Sequence, residues 1–228
     1  MTLVIGELMI KIATQVVLLS ALALSMVPRA VAQPAAPRPW DDRPAELYRL
    51  CTSCHGPDGK GMPNVGAPAI AGLPEWYLEA QLTKFHTSVR GGHVKDINGM
   101  RMRPIGLTLS EENRKSIAKY VSAMARPETP DTVKGNLAKG ENTYQVCQAC
   151  HGPKAEGMQA LNAPPLVGAN DWYLLTQLKN FKGKVRGYDP AIDPNGYAMA
   201  GIAATLDEAA MLNVVAYINS FKPAPAAK

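Results

Sequence analysis

Cys51, Cys54 and His55 stand in the order C-x-x-C-H, and Cys147, Cys150 and His151 repeat it. Two thiols at i and i+3 share one helical turn, and an imidazole follows directly. That is the attachment sequence for haem c. Each thiol forms a thioether with a porphyrin vinyl group, and the histidine reaches the iron from the proximal side. Three other chemistries compete. Four cysteines in an exported chain form two disulfides by default. A redox dithiol needs C-x-x-C but not the histidine. A four-cysteine zinc site spaces its pairs by roughly 15–20 residues, whereas His55 and His151 are 96 residues apart. A histidine after both pairs favours haem.

Shifted by 96 residues, the chain lies on itself. Tyr48 meets Tyr144, Gly61 and Met62 meet Gly157 and Met158, and Ala67-Pro68 meets Ala163-Pro164. Trp76-Tyr77-Leu78 meets Trp172-Tyr173-Leu174, and Val89-Arg90-Gly91 meets Val185-Arg186-Gly187. One inserted residue moves the shift to 97, after which Asp96, Met102, Leu109 and Tyr120 meet Asp193, Met199, Leu206 and Tyr217. A period this long is no solenoid; it reads as two copies of one domain. The expected organisation is a signal segment at 1–32, a first domain at 33–126, a linker at 127–134 and a second domain at 135–228. Pro127 and Pro130 stop a helix and stiffen the linker.

An iron held by His55 or His151 needs its sixth ligand from far along the chain, and the repeat selects Met102 and Met199. They lie 47 and 48 residues after their histidines, each seven before the leucine that precedes the last helix. Met100 competes in copy one, but its counterpart is Tyr197; His93 has no histidine counterpart. Met62 and Met158 repeat but fall seven residues past the proximal histidine, and read as loop packing. His/Met ligation raises a haem potential, as suits a carrier feeding a terminal acceptor. Pro68 and Pro164 either orient the proximal histidine through a backbone carbonyl or are plain loop prolines. Arg90 and Arg186 either pair with haem propionates or cap solvated helix ends. Trp76 and Trp172 read as packing or haem-edge contacts, and His86 and His93 as surface residues.

The elements that must position these groups are short helices joined by Gly/Pro loops. One leads into each C-x-x-C-H motif, as in 45–51. A second carries Tyr77, Leu78, Gln81, Leu82 and Phe85 as a helical stripe. The last runs over 110–124 in copy one and 207–221 in copy two, with Ser110 and Asp207 as N-caps. Strand alternation is absent, so the expected class is all-α.

The formal charge is +5, and four propionates from two haems would bring it near neutrality. No stretch interleaves basic and aromatic residues, so no nucleic-acid partner is expected. Lys11, the apolar run 12–27 and Ala30-Val31-Ala32 form a secretory signal with cleavage after Ala32; Met9 is an alternative start. The 16-residue run is short for a retained anchor, which needs roughly 20. The expected location is therefore the periplasm.

The chain resembles the cytochrome c4 family. The resemblance rests on CTSCHGPDGKG and CQACHGPKAEG, on APAIAGLPEWYLEAQLTKF and APPLVGANDWYLLTQLKNF, and on Met102 and Met199 ahead of the final helices. It covers essentially all of 41–222. It implies two tandem class I cytochrome c domains, each wrapped around one covalent haem c with His/Met ligation. It also implies transfer from a quinol-oxidising complex or dehydrogenase to a terminal membrane oxidase, with loose membrane association. One departure is NGMRMRPIG, where Arg101 and Arg103 flank Met102. From 33 to 126 there are 13 Lys/Arg against 9 Asp/Glu, and from 127 to 228 there are 9 against 9. Copy one is thus the electropositive half and the expected docking face for an acidic partner, unless these arginines pair with propionates or Asp96. The reading is an electron carrier and not an enzyme. A dedicated dehydrogenase subunit is the alternative, and a di-haem peroxidase is disfavoured by two methionines in register.

Overall fold

The computed structural model describes residues 44–221. The expected signal segment 1–32 and the flanks 33–43 and 222–228 lie outside the described residues. Residues 44–221 fold as eight α-helices in two sets of four, and among these residues no strand is found. Two isolated bridges, Met62 with Ala67 and Met158 with Ala163, pin matching loops.

Copy one contains α1 (Pro44–His55), α2 (Glu75–His86), α3 (Ile97–Thr108) and α4 (Glu111–Ser122). Copy two contains α5 (Leu137–His151), α6 (Asp171–Lys182), α7 (Pro194–Ala204) and α8 (Glu208–Ser220). Pro44 opens α1, where its fixed φ suits a first helical position. Ser110 and Asp207 cap α4 and α8, accepting from the amides of Asn113 and Ala210. The motif helix α1 runs on through the whole C-x-x-C-H to His55, past the end expected at Cys51. Two helices were not expected at all: α3 and α7, which carry Met102 and Met199. Asp96 and Asp193 start them, accepting from Gly99 N and Gly196 N at 3.0 and 2.9 Å.

The first helix of each copy packs on its last, and the second packs on the third and the last. Tyr48 meets Tyr120 and Tyr144 meets Tyr217, each with ring centroids 5.6 Å apart. Leu78, Leu109, Ile117 and Val121 complete one core; Leu174, Val214, Val215 and Ile218 complete the other. Both tyrosine hydroxyls donate back to the glycine after the motif, Gly56 and Gly152, at 2.8 Å. Each core is thereby fastened to the end of its motif helix.

The linker is held to copy two. Asp171 is fully buried and accepts from the Thr132 amide, from Thr132 Oγ1 at 2.7 Å and from the Val133 amide at 2.6 Å. Arg126 donates to the Val167 carbonyl at 2.6 Å. The matching position in copy one is Glu75, which is exposed. Asp171→Ala leaves two linker amides and one hydroxyl, all part-buried, without their acceptor, each bond contributing about 0.5–1.5 kcal/mol net. The expected loss is about 3 kcal/mol, read as a lower denaturant midpoint, with Asp171→Asn falling between. An unchanged midpoint would show that the clamp contributes nothing.

Candidate functional site

The motif helix presents its groups in order. Cys51 is half-buried, Cys54 exposed and His55 buried; Cys147, Cys150 and His151 repeat this. All four thiols are unbridged, so the two-disulfide alternative is not what forms. Burial, with the neighbouring thiol second, pushes Cys51 and Cys147 up to about 11. A redox dithiol needs the opposite shift.

Both histidines are 5% exposed. Each donates Nδ1–H to a proline carbonyl, His55 to Pro68 and His151 to Pro164, at 2.8 Å in both cases. A carbonyl can only accept, so the ring proton sits on Nδ1 and the Nε2 lone pair is free. Burial also holds both imidazoles below their usual range, which keeps that lone pair unprotonated. Gly61 lets the proline loop come this close. Its φ is +80°, and a Cβ there would lie 2.4 Å from the Pro68 carbonyl carbon.

In copy one these groups surround a cavity of about 460 Å³, within the range of cofactor sites. Cys51, Cys54, His55 and Pro68 line it from one side, and Met102 and Ile105 from α3. Met100 is 45% exposed and is not in the lining, nor is His93. In copy two Met199 packs against Phe181, Ala200 and Ala203. Met158 is 40% exposed, so its side chain is less packed than expected of a loop filler. His86 is not a free surface residue: it is half-buried, with Nδ1 donating to the Gly106 carbonyl at 3.0 Å.

The cavity extends to the seam between the copies, where Tyr173, Thr176, Gln177 and Asn180 wall it. Arg90 and Arg186 meet there. The solvated-helix-end reading of these arginines fails: both are 6% exposed. Each stacks on a phenylalanine of its own copy, Phe85 or Phe181, at 4.4 and 4.5 Å. Each donates to its own copy's glutamine, Gln81 at 2.9 Å and Gln177 at 2.6 Å. Arg90 also reaches Tyr173 across the seam at 3.3 Å. Sequence reasoning missed this seam contact because charged residues are normally exposed. Trp76 and Trp172 pack edge-on against Tyr77 and Tyr173.

A haem suits what is present. The cavity is walled by apolar side chains, two thiols and a lone-pair imidazole. Arg90 Nε and Arg186 Nε are buried without partners, and among the described residues neither guanidinium forms an ion pair. Such a pair of cations calls for anionic groups like propionates. Arg101 and Arg103 do not meet Asp96. Arg101 donates to the Val65 carbonyl at 2.8 Å and Arg103 to Ser88 Oγ at 2.7 Å, and both remain exposed.

Paired thiols followed by a buried imidazole, set on short helices and built twice, with Met102 also lining the copy-one cavity, define a c-type haem domain. Residues 42–125 and 137–222 each match the cytochrome c family, and the chain belongs to it. It is 32% identical over 151 residues to the thiosulfate dehydrogenase electron acceptor of Stutzerimonas stutzeri, a match spanning 61% of this chain and 66% of that relative. It is 30% identical over 199 residues to cytochrome c4 of Thiocapsa roseopersicina, spanning 82% of this chain and 95% of the relative. The structure of cytochrome c4 from Acidithiobacillus ferrooxidans aligns with a TM-score of 0.63 and 26% identity, over 76% of this chain and 99% of that one. The chain is a di-haem, cytochrome c4-like electron carrier with two covalent haems c.

Proposed function

We propose that this chain is a periplasmic shuttle that accepts electrons from a dehydrogenase or quinol-oxidising complex and delivers them to a terminal oxidase. In this reading His55 with Met102 and His151 with Met199 are the axial pairs, and Arg90 and Arg186 receive propionates at the seam. The observation that carries it is the copy-one cavity, which has the locked imidazole of His55 on one wall and Met102 on another. When bound, the haem supplies one-electron chemistry. The chain's own residues fix the iron's ligands, exclude water and present the edge. The name of the Stutzerimonas stutzeri relative supports a thiosulfate dehydrogenase as the class of donor. The same name favours a second reading, a dedicated cytochrome of such an enzyme, and co-purification with a larger catalytic chain would distinguish it.

Docking in this reading uses the α3 face. Val94, Ile97 and Met100 are 76, 59 and 45% exposed, and Lys95, Arg101 and Arg103 surround them. The matching face of copy two carries Ile192, Tyr197 and Ala198, with Ala200 buried in place of Arg103, and no such charge. A cationic rim around an apolar centre steers an acidic partner, an effect that fades with salt. The double change Arg101→Gln with Arg103→Gln is expected to slow reduction by a donor dehydrogenase roughly tenfold at low salt and to match the parent at high salt. Stopped-flow reduction of the holoprotein measures this. Equal low-salt rates would remove the rim from the docking face.

A further inference from the structure

His55 and His151 make the same hydrogen bond, but the peptides that accept it differ. The carbonyl that His55 donates to belongs to the Pro68–Ala69 peptide, and the N–H of that peptide donates to Asn170 Oδ1 at 2.6 Å. Asn170 lies in copy two and is 4% exposed. It occupies the N-cap of α6, where an asparagine ordinarily bonds its own helix, yet it makes no such bond. In copy two the accepting peptide is Pro164–Pro165, whose nitrogen carries no hydrogen. Copy one has Pro74 where copy two has Asn170. The two loops otherwise match: Ile70 N bonds Gly59 O and Leu166 N bonds Ala155 O, both at 2.8 Å. The seam bond therefore runs in one direction only.

Hydrogen bonds in series through one peptide polarise each other. Donation from Ala69 N–H moves electron density onto the Pro68 oxygen. That oxygen then draws harder on the Nδ1 proton of His55, and the imidazole becomes a stronger donor at Nε2. A stronger axial donor favours ferric over ferrous iron.

We propose that Asn170 is a positioning residue that acts across the seam, through the Pro68–Ala69 peptide and His55, to lower the potential of the copy-one haem relative to an otherwise equal copy-two haem. Its sign is opposite to that of the solvent-screened Arg101 and Arg103. The proposal rests on His55 as the proximal ligand. That is checked first by the hyperfine-shifted nitrogen resonances of His55 in the ferric parent, so failure there is distinct from failure here.

The test is a spectroelectrochemical titration of the holoprotein with two variants. Asn170→Leu removes the acceptor. Ala69→Pro removes the donor and reproduces the Pro-Pro pair that copy two already folds with. The copy-one wave is the one missing from a Cys51→Ala, Cys54→Ala variant. Each change is expected to shift the copy-one equilibrium toward ferrous by about threefold, or about 28 mV at 59 mV per tenfold, and to leave the other wave in place. The double variant is expected to shift no further than either single one. A copy-one wave unmoved by Ala69→Pro, or two waves that move together, would overturn the proposal. If either variant loses its haem, amide exchange at Ala69 in the parent decides. Protection to the depth of the core supports the bond, and fast exchange overturns it.

Discussion

Replacing Met102 by alanine is expected to lower the midpoint of one haem by on the order of 100 mV or more, a fraction of the roughly 0.8 V over which axial ligands set haem potentials. The thioether stabilises ferrous iron, so its loss leaves water or a harder ligand and favours the ferric state. Half of the methionine–iron charge-transfer band should vanish, and Met199→Ala should remove the other half. Met100→Ala should change neither, because that side chain is 45% exposed and lies outside the cavity lining. A spectrum left intact by Met102→Ala but altered by Met100→Ala or His93→Ala would refute the assignment.

Removing the thiols of copy one should unfold that copy. Its side chains, with four from helix α6, wall a cavity of about 460 Å³. Left without its haem, the apolar part of that wall meets water and loses the burial on which a domain's total stability of about 5–15 kcal/mol depends. The haem is thus a structural member of the core as well as its redox centre. Cys51→Ala with Cys54→Ala should keep one covalent haem, so that acid–acetone leaves about half the parent's colour on the protein. The far-UV helical signal should fall by roughly half, since each copy supplies four of the eight described helices. A variant with full helicity would show that the apo-copy supports itself.

Part of this was legible in the chain alone. The C-x-x-C-H pairs, the repeat and its all-α character needed only residue types and spacing. The last helices announced themselves through Ser110 and Asp207. The helix carrying Met102 did not. It contains Gly99, Gly106 and Pro104, poor helix formers with no clear stripe. It exists because Asp96 caps it and α2 packs along it. The seam was hidden for a different reason. A repeat exposes what two copies share, while much of the seam uses residues they do not. Asn170 stands opposite Pro74, and Lys84, which pairs with Asp193 at 2.7 Å, opposite Asn180. Arg90 and Arg186 are shared, but their burial follows from copy-to-copy contact that local sequence does not encode.

After a gene duplication, the halves are ordinarily free to drift apart. Helix α6 denies this chain that freedom. Leu174 and Leu178 serve its own core, while Tyr173, Thr176 and Gln177 wall the cavity of the other copy. A substitution on one face is felt by one haem and a substitution on the other by its neighbour, so a single helix serves both sites. Helix α2, by the same measure, should tolerate change unevenly along its length. The ancestry of the two copies will therefore be easiest to read in the stretches that touch only themselves.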